Sequence, residues 1–107
     1  MNNNLFNLIK MVLKVKAQAG SFESSDILIM VEPVAKGTGR TIELKSIVMQ
    51  QFGDDVLQQI NRDLDHYNID DIRIIVNDKG ALPPTISARL ETALKRSAQV
   101  QAGTLTK

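Results

Sequence analysis

Val48, Phe52, Val56, Ile60, Leu64 and Tyr67 recur at intervals of three and four residues, which lays a single apolar stripe along a helix. A helix apolar on one side only must rest on something, and the segments flanking it have period two instead of 3.6. Before it, Arg40-Thr41-Ile42-Glu43-Leu44-Lys45 alternates with Ile42 and Leu44 inward; after it, Ile72, Ile74 and Val76 alternate, with Ile75 covering the other face. The helix therefore lies on a sheet. Ser46 is placed to cap its start and Asn68 to stop it. Gly53 predicts a break or a close backbone contact, since glycine costs up to about 1 kcal/mol inside a helix, and Asp54 and Asp55 would cap a restarted one.

Upstream, Met11, Leu13 and Val15 alternate with Val12, Lys14 and Lys16, which predicts a half-buried strand over 11–16. Ile27-Leu28-Ile29-Met30-Val31 is apolar on both faces and bounded by Asp26 and Pro33, as a central strand would be. These two pair as an antiparallel hairpin, and residues 33–39 (PVAKGTG) connect onward. Near the end, Asn77-Asp78-Lys79-Gly80 reads as a turn, and Pro83-Pro84 stiffens the start of a last helix with Ile86, Leu90, Ala93 and Leu94 inward. Arg89, Lys95 and Arg96 point elsewhere. The order β-β-β-α-β-α predicts an α+β fold: a two-layer sandwich of a mainly antiparallel sheet with both helices on one face.

The segment joining the hairpin strands, Ala19-Gly20-Ser21-Phe22-Glu23-Ser24-Ser25-Asp26, is small and polar, with three hydroxyls in five residues. Ser and Asp stabilise turns by bonding back to nearby backbone, so the plain reading is a hairpin tip. The sharper reading is that one serine is presented there for covalent attachment. Composition does not choose between them.

Composition does exclude other functions. With 107 residues the chain has room for one domain and one modest core. Thirteen basic against twelve acidic residues leave a net charge of +1, too little to steer it to nucleic acid or an anionic membrane. Cysteine is absent, which removes disulfides, thiolate ligands and thiolate chemistry. Ala17-Gln18-Ala19 mimics a signal-peptidase site, but residues 1–10 lack the positive start, and Lys10, Lys14 and Lys16 interrupt the apolar region. No apolar run reaches 18 residues. A cytoplasmic protein is the expectation. The domain is expected over 11–98, with a poorly ordered extension at 1–10 and a flexible tail at 99–107.

Other candidate sites reduce to structure. His66, the single histidine, has Asp65 beside it, but adjacent helix residues do not face each other and no second His or Cys completes a metal site. Gly37-Thr38-Gly39 lacks the strand, third glycine and helix of a phosphate loop. Asp54-Asp55 and Asp70-Asp71 read as solvated caps and turns, and Arg40, Arg62 and Arg73 are not interleaved with aromatics as a nucleic-acid surface would need.

The run Ala19 to Asp26 resembles the attachment segment of the citrate lyase acyl carrier (gamma subunit) family. Gln51-Phe52-Gly53, then Asn77-Asp78-Lys79-Gly80-Ala81-Leu82, Ala88-Arg89-Leu90-Glu91 and Arg96, match the same family in order and spacing. That resemblance implies that Ser24, two residues before the Asp, carries the prosthetic group, with Ser25 the second choice. The implied group is triphosphoribosyl-dephospho-CoA, joined by a phosphodiester, whose thiol bears acetyl and citryl while citrate is cleaved to acetate and oxaloacetate. The implied partners are the alpha (acyltransferase) and beta (lyase) subunits and a prosthetic-group transferase, the chain itself supplying no catalytic residue. Asp78, Lys79, Gly80 and Arg89 are implied as a docking or structural motif. Met11 matches where the family's chains begin. Pro83-Pro84 and residues 1–10 depart from the family pattern. Two other readings stay open: the acyl carrier of malonate decarboxylase, which uses the same kind of cofactor, and an unmodified α+β interaction module whose serine turn is only a turn.

Overall fold

The computed structural model describes residues 11–46 and 49–100, with the side chains of 49–52 left aside. The elements are β1 (Ala17–Gly20), β2 (Ile27–Glu32), β3 (Arg40–Ser46), α1 (Met49–His66), β4 (Ile72–Asp78) and α2 (Pro83–Ser97). The four strands form one sheet in the order β1-β2-β4-β3. β1 and β2 pair antiparallel, as do β2 and β4; β3 and β4 run parallel, because α1 carries the chain from the end of one back to the start of the other. The expected α+β sandwich is observed, with a mixed sheet.

Register explains the two faces. Ile29 pairs with Val76 and Val31 with Ile74, while Ile42 and Leu44 pair with the same two β4 residues from the other side. These side chains share the face that the helices cover. Val56, Ile60 and Leu64 of α1 and Ile86, Leu90, Ala93 and Leu94 of α2 meet them in one core. The opposite face carries Met30, Ile75, Arg73 and Glu43, with Arg73 bridging Glu32 at 3.1 Å and Glu43 at 3.3 Å. Among the described residues no helix is long and apolar enough to cross a membrane.

Three expectations are corrected. The first strand is Ala17–Gly20, not 11–16. Residues 11–16 instead lie against the end of α2: Lys14 and Val15 donate their N–H groups to the Ser97 carbonyl (2.9 and 3.1 Å), and the buried Ser97 hydroxyl donates to Val15 C=O at 2.6 Å. Met11 and Leu13 still pack on the core. Alternation reports one apolar side; it does not say whether the backbone is paired into a sheet. Secondly, of the break or close contact expected at Gly53 the break is absent: α1 runs unbroken through this buried glycine, tertiary packing outweighing a propensity cost of about 1 kcal/mol. Thirdly, Asn77 and Asp78 belong to β4, which shortens the following turn. The start of α1 that Ser46 was expected to cap adjoins residues 47 and 48, outside the described residues, as are 1–10, 101–107 and the side chain of Phe52.

Long-range polar ties fix the connections. Arg40 donates to the Ile69 carbonyl from Nε (2.9 Å) and Nη2 (2.7 Å) and reaches Asn61 Oδ1 and Asp65, which holds the end of α1 against β3. Asn68 takes a positive φ of 60° where α1 ends. Asp71 accepts the Gly39 N–H at 2.7 Å, which fixes the loop before β3 and holds the Asp71 carboxyl below its usual pKa.

Gly20 ends β1 with φ +98°, and Ser21 N–H then donates to Ile27 C=O at 3.3 Å. A β-carbon on Gly20 would stand 1.7 Å from that carbonyl oxygen. Left-handed strain costs roughly 1–3 kcal/mol before any clash is counted. Gly20→Ala is therefore expected to lose at least about 2 kcal/mol in urea unfolding, with the hairpin displaced.

Candidate attachment site

The ends of β1, β4 and β3 and the starts of β2 and α2 lie together at one end of the sheet, and the serine-bearing loop 21–26 projects there. Its shape is set from inside. Ser21 Oγ accepts the Glu23 N–H at 3.2 Å and donates to Asp26 Oδ2 at 2.6 Å. Asp26 N–H donates to Glu23 C=O at 3.0 Å, closing a four-residue turn with Ser24 and Ser25 at its two corners. Ser25 has φ +67°, the sign a type II turn requires at that corner. Its N–H donates to the Lys79 carbonyl at 2.8 Å, and Lys79 N–H donates to Asp26 C=O at 2.9 Å. The loop is thus stitched to the β4–α2 connection.

Asp26 is the centre of this arrangement. Besides Ser21, its carboxylate accepts the Ile27 N–H at 2.7 Å and a side-on pair from Arg89: Nε to Oδ1 at 3.0 Å and Nη2 to Oδ2 at 3.2 Å. The Arg89 hydrogen bonds, with those from Ser21 and Ile27, lower its pKa to about 2 against the opposing effect of burial. Nearby, Asp78 is 2% exposed; its Oδ1 accepts the N–H groups of Gly80 and Ala81, both at 3.0 Å, and its Oδ2 accepts the Ser46 hydroxyl at 3.0 Å. Asp78 and Gly80 therefore shape the connection, Lys79 ties it to the loop through its backbone, and Arg89 grips the loop from α2.

The three loop hydroxyls differ. That of Ser21 is committed as donor and acceptor. Those of Ser24 and Ser25 are exposed, and among the described residues neither has an intramolecular partner. Of the other candidates, His66 is exposed with its ring edge-on to Tyr67 at 5.4 Å between centres, and Thr38 bonds Ala35 C=O within its loop. Asp54, Asp55 and Asp70 are exposed, whereas Asp71 holds Gly39. Sequence reasoning missed the pairing of Asp26 with Arg89 across 63 positions; each lay in a recognised motif, but nothing local links them.

A small α+β body that holds out an unengaged alcohol on a braced turn has the form of a carrier. The acyl carrier family described as the malonate decarboxylase delta subunit (MdcD) matches residues 14–97, which puts the chain among the acyl carrier proteins. The citrate lyase acyl carrier protein of Streptococcus mutans is 43% identical over 91 residues, covering 85% of this chain and 88% of that one. Those of Serratia proteamaculans (40% over 82 residues, 77% and 79% covered) and Klebsiella pneumoniae (38% over 89 residues, 83% and 91% covered) are similar too. The chain belongs to the citrate lyase acyl carrier protein family. Acyl carrier proteins of this kind carry a prosthetic group. Its fold resembles a chain of a Pseudomonas malonate decarboxylase hetero-tetramer solved in complex with malonate, with TM-score 0.65, 22% identity, and 78% of this chain and 84% of that one covered.

Because the Asp26 pKa is lowered, its bonds contribute fully above about pH 4 and are lost as pH falls through about 2. NMR titration is expected to place the wild-type carboxyl at about 2. In Arg89→Ala it should move back towards the ordinary carboxylate range, with faster amide exchange at Ser25 and Ile27.

Proposed function

We propose that this chain is the acyl carrier subunit of a citrate lyase, with Ser24 as the attachment point for triphosphoribosyl-dephospho-CoA. The observation that carries the reading is the state of Ser24: an exposed residue whose hydroxyl has no partner among the described residues, at the first corner of a turn braced by Ser21, Asp26 and the Lys79 backbone, with the Ser25 hydroxyl at the second corner in the same state. A serine hydroxyl is a weak nucleophile and no described side chain hydrogen-bonds this one, so the prosthetic-group transferase must bring the base. In attachment the Ser24 O–H bond breaks, its proton passes to that base, an O–P bond forms, and pyrophosphate leaves the triphosphate. Once bound, the group supplies the thiol that this cysteine-free chain lacks.

The chain's own contribution is positional. Arg89, Asp26 and Ser21 hold the turn so that the alcohol faces outward, and the sheet behind it keeps the body from following the arm. Tethering to such a body raises the local concentration of the carried acyl group, commonly to the millimolar range for short flexible links. The partners in this reading are the alpha and beta subunits of the lyase, in the cytoplasm. Asp78, Lys79, Gly80 and Arg89 act in shaping and bracing the loop.

The test is intact mass after co-expression with the loading enzymes. A large added mass is expected in the wild type and in Ser25→Ala, and none in Ser24→Ala; loss in Ser25→Ala alone moves the site by one residue. No gain in any variant favours an unmodified interaction module. A second reading, the carrier of malonate decarboxylase, draws on the matching family description and the fold neighbour. It is separated by assaying the loaded chain with each set of catalytic subunits, citrate cleavage being the expected activity.

A further inference from the structure

Five large apolar side chains stand out in water among the described residues, and the two most exposed are Leu82 (70%) and Phe22 (64%). Both lie at the Ser24 end of the sheet. Phe22 is two residues before Ser24, so their Cα atoms are within about 8 Å. Leu82 is three residues beyond Lys79, whose backbone bonds Ser25 and Asp26 directly, so it stands within about 11 Å of Lys79. The other three, Val12, Val15 and Val100, belong to the opposite end, where residues 11–16 meet the close of α2. A lone exposed apolar residue is ordinary; here two stand on loops that are hydrogen-bonded to each other.

Both residues also sit on braced backbone. Leu82 precedes Pro83, which restricts its backbone to the extended region it occupies (φ −77°, ψ 157°), and its carbonyl accepts the N–H groups of Thr85 and Ile86. It fills the N-cap position of α2 without any capping side chain, so it does nothing for the helix that a Ser or Asp would not do better. Phe22 sits on the loop braced by Ser21, Asp26 and Arg89. Anchors fixed before contact lose little freedom on binding.

We infer that Phe22 and Leu82 are the apolar anchors by which the transferase that loads Ser24 grips the carrier, each seated in an apolar recess at the rim of its cleft. This rests on Ser24 being the attachment point. An enzyme that makes a bond at the Ser24 hydroxyl must close around the corner of this turn, which brings it against Phe22, two residues away, and towards the connection bonded to the turn, which carries Leu82. Aromatic residues are enriched at the cores of such contacts, where a few covered side chains carry most of the affinity.

The experiment measures initial rates of mass gain at varied concentrations of the full-length unloaded carrier, with the transferase and triphosphoribosyl-dephospho-CoA. The variants are Phe22→Ala, Leu82→Ala, their double, Phe22→Leu, and Val12→Ala as an exposed apolar control. Each alanine variant is expected to raise KM about tenfold with kcat within twofold, and the double more, while Phe22→Leu and Val12→Ala stay within threefold of wild type. A Ser24→Ala carrier, which cannot be loaded, should bind the transferase as wild type does and lose the same factor when either anchor is removed. Thermal melts verify that each variant is folded. The inference is overturned if the double variant keeps its KM, if kcat falls while KM holds, or if loading is normal and only association with lyase subunits or a second copy of the chain weakens. If the wild type itself gains no mass at Ser24, the attachment reading fails first, and that result is distinct from all of these.

Discussion

One carboxylate decides the shape of the serine-bearing end of this protein. Asp26 stands at the junction of the serine turn and β2, and it accepts from the turn (Ser21), from the strand (Ile27 N–H) and from α2 (Arg89). A charged acceptor with four bonds, of 2.6 to 3.2 Å, is stiffer than a neutral one, since charge-assisted bonds are roughly twice as strong. The planar Arg89 fork adds direction as well as attraction, because two parallel bonds fix an angle where one would not. Take these away and the loop keeps its contacts with the Lys79 backbone, the Ser21 N–H bond to the Ile27 carbonyl and the internal bonds of its own turn.

That junction depends on the hydrophobic layer beneath it. Arg89 can reach Asp26 only because α2 lies across β1 and β2, and α2 lies there because Ile86, Leu90, Ala93 and Leu94 share a core with Ile27, Ile29 and Val31. The edge strand over which it lies is built of small residues, and Ala19 is buried in the same core as Ala93. The parallel pairing of β3 with β4 follows from α1, which must return the chain to the sheet's far end before the last strand begins. Core, helix position and loop geometry are thus one chain of dependence, running from apolar burial to the orientation of a hydroxyl.

A carrier faces a conflict that this arrangement would resolve if, as proposed, the turn bears the attachment point. Its attachment point must be open to an enzyme, which argues for a projecting loop, yet a loose loop would have to be ordered at every encounter. Here backbone polar groups at the turn are bonded within the loop or to the neighbouring connection, while the two corner hydroxyls remain outside that network. Stiff backbone and an unengaged side chain coexist because the bracing is done by Ser21 and Asp26, which flank the corners instead of occupying them.

The sequence by itself determined the element types, the α+β class and the inward faces. These depend on periodicity along the chain: Val56, Ile60 and Leu64, Ile72, Ile74 and Val76, and the Ile86 to Leu94 face are buried where spacing places them. Short motifs were enough to indicate the family, because their order and spacing survive in any fold the chain adopts. Only the tertiary structure decided that β1 is Ala17–Gly20, whose alanines and glycine have poor strand propensity and are paired because β2 offers a partner in register. It alone decided that Ser97 holds Val15, that Arg89 holds Asp26, and that the Ser21 hydroxyl is consumed while that of Ser24 has no partner among the described residues. The physical reason is the same in each case. Periodicity is a property of neighbours in the chain, whereas a hydrogen bond across 63 or 82 positions exists only once the core has brought its two ends together.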